Sequence, residues 1–123
     1  MKTEKEKLFS ACIEKWVKKT WLGWWKIDVE YCDAHNFEKI ENSSTALAFC
    51  HTDWKYMCAT IRVNSDNLEE QKEEDIELIA VHELMHVFLN EMRADEETGT
   101  IEHEEHVATF LAKSFLLAGS NND

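Results

Sequence analysis

The chain has 123 residues, 44% of them hydrophobic, with five Trp and six Phe, which suits one domain around one modest core. Pro is absent and Gly occurs three times, which argues against collagen-like, linker-rich and many-turned β architectures, and no apolar run approaches the roughly 20 residues of a membrane span. The formal charge is −12, with residues 1–26 at +4 (seven Lys, three Glu) and residues 66–105 at −13 (15 acids against Lys72 and Arg93), a surface that repels nucleic acid and reads first as a solvated acidic face, with a preference for basic partners or substrates as the alternative.

Leu8, Phe9, Cys12, Ile13, Trp16 and Val17 recur at helical spacing, with lysines mostly on the other side, and predict an amphipathic helix over 4–20. Glu4, Glu6 and Glu14 dilute its basic face, so a packed, solvated helix is expected, not a membrane-surface one. The segment 1–22 lacks the uninterrupted apolar stretch of a signal peptide, and a cytoplasmic location is expected. Gly23 breaks the period, and alternation from Trp25 to Cys32 predicts a half-buried strand. Residues 36–44 read as a loop, 45–50 as a second strand and 56–63 as a third, with 51–55 turning the two into a hairpin.

Cys12, Cys32, Cys50 and Cys58 contain no C-x-x-C pair and read as reduced thiols, with Cys50 and Cys58 facing each other across that hairpin. Residues 65–67 offer capping side chains for a long helix running to about residue 92. A short connection over 95–100 leads to a last helix over 101–118, stopped by Gly119. The order of helix, three strands, helix and helix predicts an α+β domain spanning 1–123.

The long helix contains His82-Glu83-Leu84-Met85-His86. Residues i and i+4 lie one above the other, so both imidazoles point to one side and can bind one Zn²⁺. Glu83 sits about 100° further round, close enough to take a proton from water activated there. Ile79, Ala80 and Val81 precede the motif and Val87, Phe88 and Leu89 follow it. A polar trio in so apolar a helix needs a compensating partner, and a metal is one. A third ligand is still required, and the last helix offers Glu102, His103, Glu104, Glu105 and His106.

Here the chain resembles the gluzincins, H-E-x-x-H metallopeptidases whose third ligand is a Glu on a following helix. In thermolysin-like members that helix reads Glu, two variable residues, a small one, a polar one, a variable one, an apolar one and a small one. This chain reads Glu105-His106-Val107-Ala108-Thr109-Phe110-Leu111-Ala112. Ala108 and Ala112 share the Glu105 face and would let the two helices approach closely. The resemblance implies His82, His86 and Glu105 as the metal ligands. Glu104 is the rival, sharing a face with Val107, Ala108 and Leu111, and a His is the remaining choice. Thr109 stands where the family usually has an Asp or Asn that orients a ligand His; its hydroxyl can hydrogen-bond but carries no charge. The metzincin pattern fails, because it needs a His where Met92 stands.

Over residues 56–118 the chain is most similar to small intracellular ImmA/IrrE-like proteases and to short H-E-x-x-H proteins of phage and prophage genomes, while the first 55 residues match in chain order only. That resemblance implies a minimal zincin fold: an N-terminal helix, a three-stranded mostly antiparallel sheet, the motif helix and a Glu-bearing helix. It also implies a zinc metallopeptidase acting on a protein or peptide substrate, with Glu83 as general base and transcriptional repressors among the candidate substrates. The strand over 59–64 is expected to form the sheet edge that an extended substrate joins. Tyr56, His103 and His106 are candidates for stabilising the oxyanion. The alternative is a zinc-bearing, non-catalytic binding module, such as a phage inhibitor or regulator; a structural site would fill its fourth position, usually with Cys.

Overall fold

The structure, a computed structural model, describes residues 2–20, 22–43, 45–53, 55–89 and 104–120. Helix α1 (Glu4–Lys19) starts at a reciprocal cap: the Glu6 N–H donates to Thr3 Oγ1 at 3.2 Å and the Thr3 N–H to Glu6 Oε1 at 2.9 Å. Phe9, Cys12, Ile13 and Trp16 form its buried face, as the spacing predicts.

Strand β1 (Lys26–Cys32) follows, and then an element the sequence pattern hid, helix α2 (Ala34–Glu41), where a loop is expected. Its signals are its caps: Asp33 accepts the Asn36 N–H at 2.8 Å, and Asn42 closes the helix in the left-handed region at φ 58°. It buries only Phe37, so no apolar periodicity announces it. The hairpin strands β2 (Ala48–Asp53) and β3 (Cys58–Asn64) lie one to three residues later than expected. His51 is therefore strand, and the turn holds Met57 at φ 53°. Cys50 pairs with Ile61 and Cys58 with Asp53, so the two thiols do not face each other. None of the four cysteines is in a disulfide.

The sheet has the order β1-β3-β2, with β1 parallel and β2 antiparallel to the central β3. The sheet is thus mixed, not mostly antiparallel, and β3 is not its edge. Alternation alone cannot distinguish these cases, because the side-chain period is the same in both pairings. One sheet face carries Val29, Ile61 and Cys50 and packs on α1 and on helix α4 (Glu73–Phe88). The other face carries Phe49, stacked on Phe37 at 5.8 Å, and Arg62, which donates to Glu30 and Glu41.

The expected long helix is split. Asn64 caps a short helix α3 (Ser65–Glu69), and α4 starts afresh at Glu73. Ile76, Ala80, Val81 and Leu84 of α4 are fully buried in the core. The helix ends at Phe88 with Leu89 as its cap, short of the expected residue 92, and the connection over 95–100 lies outside the described residues. Helix α5 (Glu104–Ser120) runs through Gly119, so that glycine does not stop it. The α+β layout stands, and no helix among the described residues is long and apolar enough to cross a membrane.

Candidate metal centre

The motif residues share one helix but not one environment. One turn apart on α4, His82 and His86 have ring centroids 5.1 Å apart, and both rings reach the face on which α5 packs. The close approach of α5 comes from Ala108 and Ala112, both fully buried. Larger side chains there would hold the helices apart. Helices packed this closely bring Glu105 between the imidazoles: His82 Nε2 lies 3.0 Å from its Oε1 and His86 Nε2 lies 2.9 Å from its Oε2.

The donor atoms of His82, His86 and Glu105 all lie within 4.8 Å of one another. Tetrahedral Zn²⁺ with bonds near 2.0–2.1 Å sets neighbouring ligand atoms about 3.3 Å apart, a spacing these donors reach by side-chain adjustment of about an ångström. Thr109 Oγ1 lies 3.2 Å from His82 Nδ1. Accepting an Nδ1–H there leaves the Nε2 lone pair free for a metal. The hydroxyl thus takes the orienting position expected of it from the sequence. Glu104 is the first residue of α5, and its side chain, with Glu102 and His103, lies outside the described residues.

Glu83 is 8% exposed, as deeply buried as His86, and stands outside the donor group of His82, His86 and Glu105. Burial pushes its carboxyl up to about 7, with Glu105 adding to the rise and His86 opposing it. That value sits where a group exchanges a proton readily at neutral pH.

A cleft of about 800 Å³ opens beside these groups. Its walls are α4 at Leu78 and Ile79, α5 at Glu105, Thr109 and Lys113, and residues 46–50, which lead into and begin the edge strand β2. Asn64 N–H donates to Leu47 C=O at 2.8 Å, and the antiparallel register continues from that pair. Ladder bonds to β3 therefore fall at Phe49 and His51, while the alternate residues, Ala48 among them, direct their N–H and C=O groups away from β3. The edge beside the donors is thus β2, not the expected 59–64. Neither Tyr56, 79% exposed in the hairpin turn, nor His106, also exposed, lines the cleft. Sequence reasoning missed Lys113, although its spacing of two i+4 steps from Glu105 places it on the same helix face.

No protein-family model, curated protein or solved structure matches this chain. What the site can do is set by its own donors, its buried carboxyl and its cleft.

Proposed function

We propose that this chain is a zinc-dependent metallopeptidase of the gluzincin type, hydrolysing a peptide bond of a protein or peptide substrate. The observation that carries the reading is the convergence of His82, His86 and Glu105 beside the buried Glu83, in a cleft flanked by an open strand edge. The three ligands would hold one zinc ion, which when bound acts as a Lewis acid and lowers the pKa of nearby water.

The rest of the chemistry belongs to the chain. The outward-directed backbone of β2 at Ala48 pairs with an extended substrate and fixes its register. Leu78 and Ile79 cover an apolar substrate side chain and exclude water. Glu83 takes a proton from the attacking water and returns it to the leaving amine. A purely structural metal site has no use for such a carboxyl next to its ligands, which disfavours the non-catalytic binding module.

The test is cleavage of a peptide library by the zinc-loaded protein, by the chelated protein and by Glu83→Gln. Cleavage by the first alone is the expected result, with one zinc per chain retained in Glu83→Gln. Zinc binding without cleavage of any peptide or protein, or cleavage by Glu83→Gln within a few-fold of wild type, would exclude the reading.

A further inference from the structure

We propose that Lys113 reads a carboxylate on the substrate, so that the cleft selects peptides bearing an acidic side chain or a free C-terminus a few residues from the scissile bond. The inference rests on the peptidase reading and extends it to a substrate class.

Lys113 is placed by the same helix register that places the metal donors. Glu105 reaches His86 and His82, and Thr109 reaches His82, so α5 descends α4 in the antiparallel sense. One turn further along α5 is Lys113; one turn back along α4 are Leu78 and Ile79. All three line the same cleft. The cleft therefore has a donor end and an apolar end, with an ammonium at the rim of the latter.

That ammonium has no ion-pair partner among the described residues, as is true of several surface lysines, but it alone of these lines the cleft. Among the described residues lining the cleft it is the one Lys or Arg, a cation facing the same space as the metal donors.

Distance sets where the carboxylate must be. Eight residues of helix separate Lys113 from Glu105, a rise of about 12 Å. An extended peptide advances about 3.3 Å per residue, so the matching substrate group lies roughly three or four residues from the bond cut, fewer if the lysine stem leans towards the donors. The edge strand β2 spans about 17 Å over its six residues, so a paired stretch of substrate is long enough to reach. A side chain of Asp or Glu and a terminal carboxylate present the same chemistry. Their sources differ, and the experiment separates them.

The strength expected is that of a solvent-accessible ion pair near 4 Å, worth about fivefold in kcat/KM or in affinity. Matched peptides would be drawn from the sequences that the zinc-loaded protein cleaves in a library, with Glu, Gln or Lys at each position three or four residues from the cut on either side. A second set would compare a free C-terminus with its amide. The same peptides would be titrated into zinc-loaded Glu83→Gln, with and without Lys113→Glu, reading fluorescence anisotropy.

Glu should exceed Gln, and Gln should exceed Lys, at one of these positions, and Lys113→Glu should invert the order in both cleavage and binding. The preference should shrink at high salt. A preference seen only with free C-termini assigns the terminal carboxylate; one seen with internal Glu assigns the side chain. Cleavage with no charge preference at any position, or a preference that Lys113→Glu leaves unchanged, overturns the inference and leaves the peptidase reading standing. Absence of both cleavage and peptide binding overturns that reading, and this inference falls with it.

Discussion

His86 and Glu105, on two helices joined only through residues 89–103, meet at 2.9 Å through Nε2 and Oε2. One carboxylate spans both motif histidines. Glu105→Ala should therefore weaken zinc binding at least 100-fold, since it removes a ligand outright, while Glu104→Ala should change it much less. Competition titration against a zinc-sensitive dye gives both affinities. Equal losses would assign the wrong carboxylate.

Thr109→Val keeps the shape of the side chain and removes the oxygen 3.2 Å from His82 Nδ1. Loss of an orienting partner typically costs 10- to 100-fold in metal affinity, and about 10-fold is expected for a neutral hydroxyl. Thr109→Ser should recover most of it. If Val and wild type bind zinc alike, the hydroxyl does not orient the imidazole.

Metal should link the two helices energetically. Zinc that binds the folded state alone stabilises it by about 4 kcal/mol when its free concentration is 1,000 times Kd. Chelation should lower the Tm by many degrees and added zinc should restore it, as followed by circular dichroism. Acid should also release the ion, because both histidines bind in the neutral form. Coincident melting curves for the chelated and loaded protein would show that α4 and α5 are not tied through it.

Glu83 makes the metal-free protein pH-sensitive in the opposite direction from most carboxylates. Its folded pKa of about 7 lies above the unfolded value near 4.5, so between these limits the folded state binds more protons. Stability from this group is full below about 4.5 and is lost as pH rises through 7. Glu83→Gln should therefore stabilise the chelated protein at pH 8, by up to about 3 kcal/mol at 1.36 kcal/mol per pKa unit, and leave it nearly unchanged at pH 4. Urea melts at the two pH values decide it, and a gain that is the same at both would place its cause elsewhere.

Glu77 works in the ordinary direction. It accepts from Trp16 Nε1 and from Lys15 Nζ, both at 2.7 Å, and binds α1 to α4. Burial would raise its pKa, but those two hydrogen bonds prevail and hold it below the usual carboxylate value. The folded state thus gains stability above about 4.5 and loses it as pH falls further. Glu77→Gln should cost about 1 kcal/mol at pH 7, after allowance for solvent screening, and little in acid. Denaturant midpoints across that range would show it; a cost that persists undiminished in acid would rule out the charge as its source.

The sequence by itself determined whatever depends on local periodicity. The 3.6-residue rhythm marks the faces of α1 and of α4 around its motif, alternation marks β1, and i+4 spacing puts His82 beside His86 and Glu105 beside Thr109. Small residues at Ala108 and Ala112 announce a close helix contact before any partner is known. Only the tertiary structure decided which strand is central, because parallel and antiparallel neighbours impose the same alternation. It alone exchanged the expected edge 59–64 for β2, and revealed α2, whose single buried Phe37 leaves no periodic trace. It also chose which way Glu83 points: a helical spacing gives an angle around the axis, but burial depends on what packs at that angle. Lys113 belongs to both levels. Its place on the Glu105 face is local geometry, but the cleft it faces exists only because a strand edge, α4 and α5 converge from distant parts of the chain.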